Sequence, residues 1–172
     1  MPREVRPTEG RVREALFSIW GDRLEGARLL DLFAGSGAVA LEALGRGALA
    51  ATAVEREPGA VAVLRTNAER LGESAALTVL AGALPLELAR LARSAPGGFD
   101  LVFADPPYAF TGHGPLLAAA APLLAAGGEL ALEHSSRAET PLEAGGLVRV
   151  DRRRYGESGL SFYRRGAGPE SG

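Results

Sequence analysis

Short apolar runs alternate with stretches whose apolar residues recur at helical spacing along most of the chain. Such alternation is typical of parallel strands joined by helices that cover both faces of a sheet. A first helix is predicted to begin near Thr8, which is a suitable N-cap. Helical stretches then separate five predicted strands, at 27–33, 48–55, 76–82, 99–104 and 129–135.

The alternation breaks after the fifth predicted strand. Two runs of β type there flank Gly156-Glu157-Ser158-Gly159, a residue pattern typical of a hairpin turn. We therefore predict an α/β fold, a single doubly wound and mostly parallel sheet of seven strands with a C-terminal antiparallel hairpin. Residues 1–26 are expected to form an N-terminal helix segment packed on the core, 27–165 the main domain and 166–172 a disordered tail.

Composition excludes several classes of protein. The 172 residues are 47% hydrophobic and 23% charged, which suits one globular domain and disfavours disorder. There is no cysteine, so disulfides, thiolate metal sites and a cysteine nucleophile are excluded. No apolar run approaches the ~18 residues of a membrane span. No signal peptide is recognisable, so we expect a cytoplasmic enzyme or binding protein.

The net charge of −2 is distributed unevenly along the chain. Residues 29–148 carry seven Arg and thirteen acidic residues, whereas residues 149–172 carry six Arg and three acidic residues. The basic C-terminal stretch contains Arg152, Arg153 and Arg154, which are candidates for contacts with RNA phosphates. A solvated surface hairpin would explain the same charges.

The chain has two histidines, His113 and His134, and their spacing does not suggest a metal site. We expect His113 to lie in a loop and His134 at the end of the fifth strand. The neighbouring Glu133 is a candidate for a further substrate contact.

The segment "LLDLFAGSGAVALEAL" places Gly35 and Gly37 between the first strand and a helix. Glycine lets a ligand approach the backbone, and the start of a helix offers free N–H groups. Glu55 ends the second strand 20 residues after Gly35, where a carboxylate can accept both hydroxyls of a ribose. A dinucleotide-binding fold shows the same features, so the glycines alone do not identify a cofactor.

Asp31 bears on the choice of cofactor because it lies four residues before Gly35. A carboxylate at this place would repel the pyrophosphate of a dinucleotide. It would attract a ligand with a cationic amine and a sulfonium, such as S-adenosylmethionine. Alternatively, Asp31 caps the turn or the helix that follows.

A second candidate site ends the fourth strand with Asp105-Pro106-Pro107-Tyr108. The Asp105 carboxylate and the Pro106 carbonyl can accept the two N–H groups of an exocyclic base amine. Tyr108 can stack on the face of the same base, which must be unpaired or flipped out of its helix. A proline-rich turn with a buried aromatic ring is the alternative reading.

"DLFAGSGA" followed by "DPPY" resembles the class I, Rossmann-like S-adenosylmethionine-dependent methyltransferases that modify exocyclic amines of nucleic-acid bases. Within that group, "RPTEGRVREALFSIW" at 6–20 and "YGESGLSFYRR" at 155–165 are similar to the RsmD family. The resemblance implies methylation of guanine N2 in small-subunit (16S) ribosomal RNA. It further implies S-adenosyl-L-methionine as cofactor, ribosomal RNA or a small-subunit assembly particle as partner, and no metal or membrane. A monomer is the simplest expectation.

The resemblance also assigns site residues, position by position. Asp105, Pro106, Pro107 and Tyr108 would hold the target amine. At the end of the third strand, where relatives often carry an acid or amide near the adenine, only backbone groups are expected here. The cofactor positions are Asp31, Phe33, Ala34, Gly35 and Gly37 for the methionine end, Glu55 and Arg56 for the ribose, Gly82, Ala83 and Leu84 for the adenine, and Arg6, Thr8 and Arg11 for closure of the pocket.

Three other functions stay open on the sequence alone. An adenine-N6 methyltransferase would use the same four motif residues, although DNA enzymes of that type usually need a further recognition domain. A small nucleotide-dependent oxidoreductase would explain the glycines and Glu55 but not Asp105-Pro106-Pro107-Tyr108. A non-catalytic RNA-binding module would bind RNA whether or not cofactor is present.

Overall fold

The computed structural model describes residues 7–107 and 110–166, with side chains from residue 10 onwards. The predictions for Arg6, for Tyr108, for the side chain of Thr8 and for the tail at 167–172 lie outside these residues. No helix within the described ranges is long and apolar enough to cross a membrane.

A single sheet forms the centre of the described chain, with the strand order β3-β2-β1-β4-β5-β8-β7-β6. The first five strands are parallel, and β8, β7 and β6 are antiparallel. The strands are β1 Arg28–Leu32, β2 Ala50–Glu55, β3 Leu77–Ala81, β4 Phe99–Ala104, β5 Leu124–Ser135, β6 Glu143–Ala144, β7 Leu147–Tyr155 and β8 Ser158–Arg165.

This architecture confirms the predicted doubly wound sheet and its C-terminal hairpin. The described residues form eight strands instead of the seven predicted, because Glu143–Ala144 pairs with the start of β7. Two residues are too few to show the alternation by which a strand is recognised. The fifth strand also begins at Leu124, five residues earlier than the pattern predicted.

Within the described ranges, five α-helices cover the two faces of the sheet. Because successive residues of a strand point to opposite faces, Leu29 packs in one apolar cluster and Leu30 in the other. The first cluster receives α1, α2 and α3, and the second receives α4 and α5. The helices are α1 Pro7–Trp20, α2 Ala38–Gly45, α3 Pro58–Arg70, α4 Leu86–Ser94 and α5 His113–Ala120.

Helix α1 crosses the hairpin side of the sheet, and polar contacts hold it near both ends. At its C-terminal end, Trp20 Nε1 donates a 3.2 Å hydrogen bond to the buried Glu129, which also pairs with Arg164 at 2.8 Å. Towards its N-terminal end, the Arg11 guanidinium lies 5.7 Å from the centroid of the Tyr155 ring. Tyr155 closes the hairpin beside the carboxyl end of β5, so α1 begins at that edge of the sheet.

Candidate active site

The predicted site residues meet where the parallel strands end. The Ala34 N–H in the turn after β1 donates to the Val54 carbonyl of β2 at 3.0 Å. The Asp105 N–H approaches the Leu32 carbonyl of β1 at 3.5 Å, and the Gly82 N–H donates to the Glu55 carbonyl at 3.0 Å. The structure thereby brings the glycine turn, Glu55, the end of β3 and the start of the Asp-Pro-Pro segment to one edge of the sheet.

Glu55 holds the glycine turn in place. Its Oε1 accepts a 2.9 Å hydrogen bond from the Gly35 N–H, and its Oε2 accepts a 2.8 Å bond from the Glu57 N–H. A carboxylate has about four lone-pair positions, so each oxygen keeps one for a ligand hydroxyl. The half-buried side chain can therefore bind a diol while it fixes the turn.

The two glycines of the turn have different roles. Both have positive φ, +58° at Gly35 and +86° at Gly37. A Cβ on Gly35 would meet nothing within 4 Å, so the backbone there is open to a ligand. A Cβ on Gly37 would overlap Leu64 Cδ1 of α3, so this residue is glycine because a helix packs closely against it.

Asp31 is 1% exposed at the centre of the site. Its Oδ2 accepts a 3.2 Å hydrogen bond from the Ala40 N–H, so the side chain does cap the first turn of α2. Burial raises the pKa of Asp31 to about 8; the Ala40 bond opposes that rise, and the negative charges of Asp105 and Glu55 add to it. A cation bound here would favour the ionised carboxylate.

The Asp-Pro-Pro segment continues directly from β4. Asp105 and Pro107 are exposed, whereas Pro106 is buried. The Phe110 N–H donates a 2.8 Å hydrogen bond to the Pro107 carbonyl. Asp105 lies at the surface of this edge, within electrostatic range of Asp31.

The expected cofactor positions at the end of β3 include a group that the sequence analysis missed. Ala83 is exposed, and Gly82 and Leu84 are half-buried. A Cβ on Gly82 would lie 2.5 Å from Glu87 Oε1, so a carboxylate of α4 occupies the space beside this strand end. Glu87 is 8% exposed and pairs with Arg90 at 3.0 Å, so a side-chain carboxylate lies beside the backbone groups that were expected to hold the adenine. That expectation stays a prediction. The sequence did not indicate that Glu87 lies at this site, because an acidic residue in the first turn of a helix such as α4 is common.

His113 was expected to lie in a loop. That prediction is wrong, since His113 is the first residue of α5 and is 8% exposed. His134 is likewise buried, and its Nε2 lies 2.8 Å from Ser161 Oγ. Ser161 Oγ lies 3.1 Å from Thr140 Oγ1, which accepts a 3.0 Å bond from Arg149. Burial is the main cause that lowers the pKa of both histidines. This polar network joins residues far apart in the chain, which no local pattern reveals.

The remaining predicted arginines are exposed but have different partners. Arg152 donates to the Ser136 and Ala138 carbonyls at 3.1 and 2.9 Å. Arg153 pairs with Asp151 at 3.0 Å, and Arg154 Nε donates to the Gly156 carbonyl at 2.9 Å. Successive residues of β7 face opposite sides, so Arg153 points away from the side that Arg152 and Arg154 share.

Arg56, the residue after Glu55, is exposed, and its Nε lies 3.5 Å from Glu57 Oε1. Within the described residues, no group of three or more His, Cys, Asp or Glu side chains is arranged to hold a metal ion.

Comparison with known proteins gives a consistent family match. The model of a family described as "Conserved hypothetical protein 95" matches residues 2–164. "Putative rRNA methyltransferase YlbH" of Bacillus subtilis is 32% identical over 163 residues, which are 94% of this chain and 88% of that protein. "Ribosomal RNA small subunit methyltransferase D" of Escherichia coli is 39% identical over 104 residues, which are 60% of this chain and 50% of that protein.

Solved structures show the same fold. "Putative methyltransferase yhhF from Escherichia coli" superposes with a TM-score of 0.77 at 28% identity, over 95% of this chain and 89% of that one. "A putative sam-dependent methyltransferase from Streptococcus mutans" superposes with a TM-score of 0.74 over 89% of this chain and 47% of that one. At 16% identity the second likeness concerns the fold alone.

Proposed function

Because the chain belongs to the "Conserved hypothetical protein 95" family, the RsmD-type family that its motifs resemble, we propose that it methylates an exocyclic base amine of RNA with S-adenosylmethionine. The proposed target is N2 of a guanine in small-subunit ribosomal RNA. The observation that carries the proposal is the convergence of Asp31, Glu55 and Asp105 around one glycine turn.

The described residues fit this cofactor in charge and in hydrogen bonding. S-adenosylmethionine supplies an activated methyl group on a sulfonium and also carries an ammonium group, a ribose and an adenine. Asp31 has a buried carboxylate that a cation would stabilise in its ionised form. Glu55 keeps lone pairs for the ribose hydroxyls, and Gly35 leaves its backbone open to the methionine end. A pyrophosphate beside the same carboxylates would be repelled.

Asp105 is proposed to orient the target amine. The lone pair of a guanine N2 amine is delocalised into the ring, so the amine is a poor nucleophile. The exposed Asp105 carboxylate would accept one N–H, and the Pro106 carbonyl the other, which favours positive charge that develops on nitrogen. S-adenosylmethionine would supply the methyl group and take back the electrons of the broken S–C bond as a neutral thioether. Asp105, or water beside it, would accept the proton that the amine loses when its bond to the methyl group forms. Stacking on the base is assigned to Tyr108.

RNA is the proposed partner, and the hairpin is its proposed contact. The arginines near the hairpin turn lie at the same edge of the sheet as Asp105 and Glu55. Arg154 is the main candidate for a phosphate, because its Nε donates to the neutral Gly156 carbonyl and it forms no ion pair with an acid within the described part of the chain. Arg152 also braces residues 136–138, and Arg153 is paired with Asp151.

Calorimetric titration tests the cofactor part of this proposal. S-adenosylmethionine should bind, and NAD should bind at least tenfold more weakly. Preference for NAD would contradict the proposal and support an oxidoreductase. Asp105→Ala should still bind S-adenosylmethionine but lose methyl transfer to RNA, and full turnover by that variant would remove Asp105 from the mechanism.

A further inference from the structure

Three aromatic rings follow one another across the candidate site. Phe33 belongs to the glycine turn, Phe110 follows the Asp-Pro-Pro segment, and His113 begins α5. The ring centroids of Phe33 and Phe110 are 6.0 Å apart with an interplanar angle of 66°. Those of Phe110 and His113 are 5.4 Å apart at 66°. Both pairs have the edge-to-face arrangement that aromatic rings prefer.

Phe33 has an unfavourable backbone conformation. Among the residues that the structure describes, it is the one non-glycine residue with positive φ, at +62°. A bulky residue adopts this conformation only where its surroundings hold it there. The Phe33 ring is half-buried against the second apolar cluster, together with the Phe110 ring. The contact with Phe110 is therefore one of the interactions that keep the glycine turn in its shape.

Phe110 is also attached to the Asp-Pro-Pro segment. Its N–H donates to the Pro107 carbonyl at 2.8 Å. Its ring lies against Gly112, where a Cβ would be 3.2 Å from Phe110 Cζ, and against the buried His113. One residue thus contacts the cofactor turn through its ring and the target-amine segment through its backbone.

We propose that Phe110 is a positioning residue, whose ring between Phe33 and His113 sets the distance from the glycine turn to Asp105. This inference rests on the proposed function. In-line transfer needs the reacting atoms ~3–3.5 Å apart, and a misplacement of about 1 Å can cost about a hundredfold in rate. Removal of the ring would let the two segments shift relative to each other while the cofactor contacts of Asp31 and Glu55 stay intact.

The test compares Phe110→Ala with Phe110→Leu and with Leu91→Ala. Leu91 packs on the same apolar cluster but from α4, so its variant measures the effect of lost packing alone. Three quantities are measured for each protein below its unfolding temperature: the single-turnover rate of methyl transfer to RNA, the Kd for S-adenosylmethionine and the Tm. Phe110→Ala should transfer methyl about ten- to a hundredfold more slowly at saturating S-adenosylmethionine, with a smaller loss of cofactor affinity, and Phe110→Leu should be intermediate.

A double-mutant cycle with Phe33→Gly adds a readout that lost packing alone would not produce. Glycine removes the ring and accepts the positive φ, so the rate loss caused by Phe110→Ala should shrink to below threefold in that background. If Phe110→Ala lowers Tm as Leu91→Ala does but leaves the single-turnover rate unchanged, the inference is wrong and the proposed function stands. If wild type itself transfers no methyl group, the proposed function and the inference fall together.

Discussion

The Gly35 N–H and Glu55 Oε1 lie 2.9 Å apart and join the glycine turn to the end of β2. The side chain assigned to a ribose therefore already acts within the protein, and its second oxygen binds the Glu57 N–H. The turn and the proposed diol site therefore form one unit. A change at Glu55 should accordingly affect the shape of the turn and the cofactor affinity together.

Replacement of Glu55 by Gln should weaken S-adenosylmethionine binding about ten- to a hundredfold. Hydrogen bonds to a charged group contribute ~1.5–3 kcal/mol each, and about 1.4 kcal/mol corresponds to a factor of ten. Glu69→Gln is the matched control, because Glu69 is exposed near the C-terminal end of α3 and belongs neither to the turn nor to the end of β2. Calorimetry should show less than a twofold change for the control, and equal losses in both variants would contradict the role of Glu55.

Asp31 should make cofactor binding depend on pH. The pKa of Asp31 is about 8, so its carboxyl group is largely neutral in the free protein at pH 6–7. A cationic ligand binds best to the ionised form, so affinity should rise with pH by up to about tenfold per unit and level off above pH 8. In Asp31→Asn this dependence should disappear. Burial lowers the pKa of both histidines below their usual range, which favours their neutral forms.

The raised pKa of Asp31 also predicts how the stability of the cofactor-free protein depends on pH. The pKa of an unfolded Asp is about 3.9, so between pH 4 and 8 the folded state binds more protons than the unfolded state. The free energy of unfolding should therefore fall as pH rises through this window. Asp31→Asn should flatten that fall and be the more stable protein near pH 8. Urea denaturation at several pH values checks both statements, and parallel curves for the two proteins would refute them.

The two glycines of the turn should differ in what their replacement by Ala costs. At Gly37 the new methyl group overlaps Leu64, and the positive φ is strained as well, so about 2–4 kcal/mol of stability should be lost. At Gly35 the space is open, and the strain alone should cost about 1 kcal/mol. Gly35→Ala should instead weaken cofactor binding. Similar stability losses in the two variants would be inconsistent with this division.

Arg154 and Arg152 should have separable roles. Arg154→Gln should reduce the slope of log affinity for RNA against log salt concentration by about 0.7–0.9, since one phosphate contact is lost. Arg152→Gln should mainly lower the Tm, by about 2–4 °C, because its hydrogen bonds brace residues 136–138. Filter binding at several salt concentrations, together with thermal melts, distinguishes the two effects. An unchanged slope in Arg154→Gln would count against a phosphate contact there.

Local patterns predicted what lies within single elements. The strand Phe99–Ala104 has the predicted bounds, because its apolar run stops at Asp105-Pro106-Pro107. The turn after β1 and the hairpin turn were also predicted, because glycines mark both of them in the sequence. The meeting of β1, β2 and β4 at one edge followed from the rule that parallel strands end together.

Contacts between distant segments were not predictable in this way. Glu87 reaches the end of β3 from a helix, and the pairing of His134 with Ser161 depends on the register of β5 with β8. The different surroundings of three consecutive arginines depend on the side of β7 that each one faces. Such contacts are recognised only in the folded structure, because the sequence around each residue does not indicate which distant residue it will contact.

The most direct test is methyl transfer from radiolabelled S-adenosylmethionine to small-subunit ribosomal RNA and subunits from a strain that lacks this gene. The RNA is then digested to nucleosides, with Asp105→Ala as the matched negative control. The account predicts label in N2-methylguanosine for the wild-type protein and none for the variant. Label in N6-methyladenosine, or no transfer by a protein that binds the cofactor, would contradict it.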